Sequence, residues 1–210
     1  MAVFQSQLST STASYAENRT AMLDLVQRTR ELEQRAADAS ARSKGRFDKR
    51  GQILPRERLA RLLDPGSPFL EIGNIAGYLR DSDDPEKSIP GAAMIAGIGF
   101  VSGVRSMIVV NDSGINAGAI SEIGGAKVNR AQDIALENKL PFIHLVESAG
   151  ANLLEYRVQL FMIGGQLFQK LAKLSAAGCP VITVLHGSST AGGAYFAGMS
   201  DVVIGVRGNG

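Results

Sequence analysis

The chain has 210 residues, 45% of them hydrophobic, which is enough to bury a core and sets the expectation at one domain, or one domain with an appendage. Lys and Arg number 22 against 20 Asp and Glu, so the formal charge of +2 supplies no field that would favour nucleic acid as a partner. The single cysteine, Cys179, excludes an internal disulfide and a cysteine zinc ribbon. Within AAGCPVITVL it reads as a small buried hydrophobe.

No apolar run approaches the ~18 to 20 residues that a membrane helix needs. The start, MAVFQSQLSTSTASYAENR, lacks a basic flank followed by an apolar stretch, and Glu17 precedes the first arginine, Arg19, unlike a transit peptide. The expectation is a cytoplasmic protein rather than one of the mitochondrial matrix.

In chain order, the charged segment from Ser14 to Arg42 has helical character. Met22, Leu25, Val26 and Leu32 form one narrow apolar stripe, suited either to docking on the chain's own domain or to a subunit contact. Gly45 and Gly51 bracket a basic linker, and PRERLARLL from Pro55 predicts a short helix ended by Asp64, Pro65 and Gly66. A helical arm over 1–65 is therefore expected before a domain over 66–210. The segment from Asp81 to Pro90 reads as an exposed acidic loop. MIAGIGFV and VRSMIVV, separated by Ser102 and Gly103, have the spacing of a tight hairpin. A helix near Glu122 to Asn138 leads to the strand PFIHLV, and a helix near Val158 to Ala177 leads to the strand PVITVLH, an alternation that predicts an α/β domain.

Both strands run into small, glycine-bearing turns: Glu147 to Asn152 after the first, Gly187 to Ala194 after the second. Residues without bulk let a ligand approach the backbone, and a helix starting there leaves its first amides unpaired. Two such turns side by side could aim donors at one developing oxyanion, where the loss of one donor costs about 2.7 to 4 kcal/mol of barrier. Glycine after a strand is also common in α/β folds, so a purely structural reading stays open. Gly187 to Ala191 misses the GxSxG serine-hydrolase pattern only at its last position, with His186 adjacent; an adjacent histidine on one strand points to the opposite face, which favours packing for His186 as for His144.

Several separated segments resemble the carboxyltransferase β subunits of biotin-dependent acyl-CoA carboxylases. PRERLARLLDPGSPFLEIG is similar to the family's RER helix followed by LLD, GS and FxE. PGAAMIAGIGFVSGVRSMIVVND looks like its first hairpin, AKVNRAQDIALENKLPFIHLVESAGANL like the stretch to its first glycine turn, and HGSSTAGGAYFAGMSD like its second turn and helix. The resemblance implies a crotonase-like (ClpP/crotonase) spiral of ββα units and an acyl-CoA substrate. It further implies a thioester enolate held by the backbone amides of Gly192, Gly193 and Ala194. Ala149, Gly150 and Ala151 would line the same pocket, and Lys127 and Arg130 would meet the CoA phosphates. The implied reaction moves carboxylate from N1 of carboxybiotin to the α- or γ-carbon of the thioester, and biotin itself accepts the substrate proton.

The sequence contains no AMKM-like biotin attachment site and no recognisable ATP-binding pattern. Biotin is thus expected on a biotin carboxylase or biotin carrier partner that uses ATP and bicarbonate, with no metal on this chain. Family chains continue into a second spiral domain holding the biotin site, whereas this sequence stops at Gly210; the expectation is the N-terminal half of a site completed by the C-terminal domain of a neighbouring subunit in a homo-oligomer. NDSGINAGAI with Tyr195 and Phe196 favours methylcrotonoyl-CoA or geranyl-CoA over propionyl-CoA. A decarboxylase running the transfer backwards, a hydratase using Glu147 or Glu155, and a non-catalytic acyl-CoA-binding module are the competing readings.

Overall fold

A computed structural model of the chain describes residues 4–152 and 157–210, without the side chain of Ile163. The first helix, α1 (Ala13–Ala41), starts where Thr12 accepts the amide of Tyr15 on its side chain. Its apolar stripe is left open: Met22 is 60% exposed, Leu25 54% and Val26 37%. Only its last turns dock, where Ala36 and Ser40 are buried and the Ser40 hydroxyl donates to Asp112 at 2.5 Å. The segment expected as a basic linker instead forms a short helix, α2 (Lys44–Lys49), anchored by the buried ring of Phe47. Basic side chains on its other positions hid that anchor from a reading of composition. The helix α3 (Pro55–Leu62) starts at proline as expected and buries Leu59.

One sheet organises the rest, in the order β1 (Leu70–Glu71), β2 (Met94–Val101), β3 (Val104–Asn111), β4 (Phe142–Ser148), β5 (Val181–Ser189), β6 (Val202–Gly205). The pairs β1–β2 and β2–β3 are antiparallel; β3–β4, β4–β5 and β5–β6 are parallel. Ser102 (φ 52°) and Gly103 (φ 77°) make the two-residue turn between β2 and β3, both in the positive-φ region that matches the twist of a hairpin. The Asp64 carboxylate, just past α3, accepts both turn amides at 2.7 Å and ties that helix to the hairpin.

The central strands β2 to β5 are buried on both faces over most of their length, with period 2 deciding which residue meets which layer. Phe142 and Val146 of β4 face α4 (Glu122–Glu137) and α5 (Val158–Ala176), whose Val128, Ala131, Leu171 and Leu174 close the larger core. Ile143 and Leu145 face the other way, towards Leu59 of α3. Each large side chain so buried stabilises the fold by about 1.5 to 3 kcal/mol. Cys179 sits in the larger core, 2% exposed, as its sequence context predicts. The last helix, α6 (Gly192–Gly198), adds Phe196 to that core. Strand β6 leaves Val202, Val203 and Ile204 about half exposed. No helix among the described residues is long and apolar enough to cross a membrane.

Both histidines lie inside the sheet, and burial pushes each imidazole down to about 3; for His186 the neighbouring Arg58 guanidinium adds to the effect. An unfolded histidine binds its proton near 6.5, so between about 3 and 6.5 the unfolded state holds more protons than the folded one. Stability is therefore fully present above pH 6.5 and is lost as pH falls, by about 1.4 kcal/mol per pH unit for each histidine. Urea unfolding of the chain between pH 7 and pH 4.5 should show this slope, and His144→Gln should roughly halve it.

Candidate active site at two strand ends

The turns predicted after β4 and β5 meet at the carboxyl ends of the parallel strands. In the first, Ser148 Oγ donates to Gly118 O at 2.8 Å and accepts the Gly150 amide at 3.0 Å, while the Ala149 amide donates to Ala117 O at 3.1 Å. Gly150 adopts φ +86°, and a Cβ there would stand 3.1 Å from Thr190 O, so both backbone conformation and the approach of the second turn require glycine. The Thr190 amide donates to Ser148 O at 3.0 Å, joining the two turns directly.

Beyond Thr190 the chain reverses at Ala191 (φ 46°, ψ −117°), a conformation that L residues rarely adopt and that costs about 1 to 3 kcal/mol. This bend sets which amides are free. Gly193 N–H donates to Thr190 O at 2.9 Å and Ala194 N–H to Ala191 O at 3.0 Å. Of the three expected oxyanion donors, Gly192, Gly193 and Ala194, only Gly192 is therefore unpaired: the tight helix start takes up the other two. Among the described residues the amides of Ala151, Ala191 and Gly192 donate to no protein acceptor. Main-chain donors left open beside small residues suit an oxygen that gains negative charge.

The same bend bears on the serine-hydrolase reading. Ser188 and Ser189 belong to β5, and the strained elbow position carries only the methyl of Ala191. His186 is committed elsewhere: its Nε2 lies 3.0 Å from Arg58 Nη1 and, since arginine only donates, Nε2 accepts and Nδ1 carries the proton. That Nδ1 faces Glu147 Oε2 at 3.5 Å. His144 occupies the opposite face, bonded to Asn111 Oδ1 at 3.0 Å and edge-on to the Phe196 ring at 4.6 Å.

Glu147, one of the two carboxylates considered for hydration chemistry, is 6% exposed. Its Oε2 accepts from Ser113 Oγ at 2.7 Å and lies 3.7 Å from Arg58 Nη1. Glu155, the other, lies outside the described residues. Glu147 forms the floor of a cavity of about 300 Å³ whose walls include Ser148, Ala149, Ser188 and Thr190 from the turns and Arg46 and Arg50 from the α2 region. Arg46 is oriented by a 2.7 Å bond to Ser113 O.

The other expected contacts are placed apart from this cavity. Lys127 is 7% exposed, and its ammonium donates to Met94 O at 2.6 Å and Gly91 O at 3.4 Å; burial pushes its pKa down to about 8. Arg130 lies at the surface, 3.7 Å from Glu137, and lines with Lys127 a different cavity of about 310 Å³ between α4 and residues 72–76. Tyr195 is 62% exposed with its ring 5.3 Å from Phe168, whereas Phe196 is fully buried in the core and presents no surface to a pocket. Sequence reasoning missed Arg46, Arg50, Arg58 and Ser113. A signal existed for one contact: alternation along β4 and β5 puts Glu147 and His186 on the face of Leu145 and Val184, which is the face of α3.

Comparison with known proteins agrees with this architecture. The family described as the carboxyl transferase domain matches residues 47–210. A probable biotin-dependent acyl-coenzyme A carboxylase beta2 subunit of Mycobacterium tuberculosis is 41% identical over 208 residues, covering 98% of this chain and 38% of the relative. The biotin-dependent 3-methylcrotonyl-coenzyme A carboxylase beta1 subunit of the same organism is 43% identical over 175 residues, covering 82% of this chain and 32% of the relative. In structure, the beta subunit of geranyl-CoA carboxylase from P. aeruginosa matches with a TM-score of 0.90 at 49% identity, over 98% of this chain and 38% of that one. The chain thus spans less than two fifths of the length of these relatives. The expected crotonase-like α/β fold with its helical arm is the fold observed, and the chain belongs to the carboxyl transferase domain family.

Proposed function

We propose that this chain forms the thioester-binding half of an acyl-CoA carboxyltransferase, acting through a thioester enolate. The observation that carries the reading is the junction of the two turns, tied by the Thr190–Ser148 bond, where the amides of Ala151, Ala191 and Gly192 donate to no acceptor among the described residues, while Ala149 and Thr190 of the same turns line a cavity. Such donors stabilise the enolate oxygen more than the ground-state carbonyl, which is the condition for catalysis. Gly193, Ala194 and Gly150 hold the turns in shape beneath them. Biotin carried on a partner subunit, loaded there with ATP and bicarbonate, supplies the carboxyl group. The biotin ring is assigned no residue of this chain. The C-terminal domain of a neighbouring subunit would complete the site.

The relatives named for methylcrotonyl- and geranyl-CoA support a branched 2-enoyl thioester as the acyl group. In this reading the phosphate contact first expected of Lys127 and Arg130 passes to Arg46 and Arg50, which share a cavity with the turns. Lys127 has its ammonium committed to main-chain carbonyls.

Two measurements test the proposal. In the native complex, ATP-dependent incorporation of labelled bicarbonate should be highest with methylcrotonoyl- or geranyl-CoA and abolished by avidin. Absence of incorporation from a complex that holds its biotin protein would leave decarboxylation or simple acyl-CoA binding as the function. Replacing Arg46 and Arg50 together by Ala should raise KM for the acyl-CoA by roughly 10- to 100-fold, the loss of one or two charge-assisted hydrogen bonds. KM for the corresponding pantetheine thioester, which lacks the nucleotide phosphates, should not change. Lys127→Met should leave both KM values in place.

A further inference from the structure

Strands β4 and β5 are in regular register up to Val146↔Leu185, and their next paired residues are Ser148↔Ser189. One residue of β4, Glu147, is thus set against three of β5, His186, Gly187 and Ser188. The backbone ladder lapses between these two pairs and resumes only with Ser148↔Ser189 and the Thr190–Ser148 bond, so across the bulge itself main-chain bonding does not hold the strands. Side chains fill the gap. Glu147 occupies the space beside Gly187, where any Cβ would overlap its side chain. Both Glu147 and His186 point towards α3, where Arg58 meets them at 3.7 Å and 3.0 Å. The second guanidinium nitrogen donates to Ile53 O at 2.8 Å, and Ser113, following β3, holds the same carboxylate oxygen at 2.7 Å.

We infer that Arg58 is a positioning residue for the enolate site: through Glu147 and His186 it fixes the bulge between β4 and β5 and with it the placement of the two turns that the Thr190–Ser148 bond joins. The guanidinium is itself largely buried and divides its contacts, Nη1 facing His186 and Glu147 and Nη2 donating to Ile53 O, a planar fork that a lysine ammonium on a flexible stem does not match. The neighbouring arginine of the same helix, Arg56, makes a two-pronged pair with Glu71 at 2.9 Å and 3.1 Å and, among the described residues, no hydrogen bond or ion pair to the turns. It serves as the internal control for loss of an α3 ion pair. This inference rests on the carboxyltransferase reading.

The test uses the assembled complex with Arg58→Ala, Arg58→Lys and Arg56→Ala, measuring kcat per intact site, the dissociation constant for acyl-CoA, thermal midpoint and hydrogen exchange at the turns. A displacement of the order of 1 Å at reacting groups costs roughly 100-fold in rate, so Arg58→Ala should lower kcat by about that factor. Acyl-CoA affinity should change by less than about threefold, because Arg58 does not line the cavity and the phosphate contacts proposed for Arg46 and Arg50 stay in place. Arg58→Lys should recover part of the rate, ethylguanidine should restore some activity to Arg58→Ala, and Arg56→Ala should lower the thermal midpoint alone. If Arg58→Ala lowers the midpoint while kcat per intact site equals that of wild type, Arg58 is a structural residue and the inference fails. Should the alanine variant not assemble, a wild-type kcat in Arg58→Lys overturns it equally. An inactive wild-type complex would instead sink the carboxyltransferase reading.

Discussion

The main-chain bond from Thr190 to Ser148 is the contact on which the site depends. Parallel strands end at the same level, and the segments leaving them normally diverge into separate crossovers. Here one amide ties the two departing segments together, and the reversal at Ala191 leaves two further amides without an acceptor among the described residues. The energetic logic is that of preorganisation: the donors are fixed in place before a substrate arrives. Large hydrophobic layers on both faces of the sheet supply the stability that a strained alanine removes.

Electrostatics around this junction depends on burial more than on net charge. Two neutral histidines, a carboxylate and a guanidinium lie within or under the sheet, and their partners are set by geometry rather than by solvent. His186 keeps its proton on Nδ1 because arginine has only donors to offer Nε2. Lys127 shows the same economy on the opposite face, where an ammonium closes two carbonyls at the start of β2 and gives up part of its basicity. A basic residue in a helix adjoining a site is thus an unreliable sign of a phosphate contact.

Much of this was legible in the sequence. Strand positions, the Ser102–Gly103 turn and both helix–strand units follow from period and punctuation, because those features are local and each residue's contribution to them is fixed by its own backbone preference. The two turns were visible for the same reason. What sequence did not disclose was decided by tertiary context. Helix α2 looked like linker because one phenylalanine, not a periodic stripe, anchors it. Phe196 looked like a pocket residue because, like Tyr195, it is apolar and lies beyond the second turn, but successive helical positions face different ways and it turns into the core. The pairing of Gly193 and Ala194 depends on a single unusual φ at Ala191, which no propensity for alanine foretells.

Helix α1 is supported unevenly, and that has a thermodynamic consequence. Its last turns are locked by Ala36, Ser40 and the ion pair of Arg35 with Glu86, whereas the stripe from Met22 to Val26 stays largely exposed. Isolated helices gain little from propensity alone, so local opening near Ala13 requires far less free energy than opening near Ser40. The helix therefore behaves as a rod clamped at one end, frayed at the other. Any surface that covers the stripe would extend the clamp along its length, and the binding energy of that contact would be reduced by the entropy of the turns it has to order.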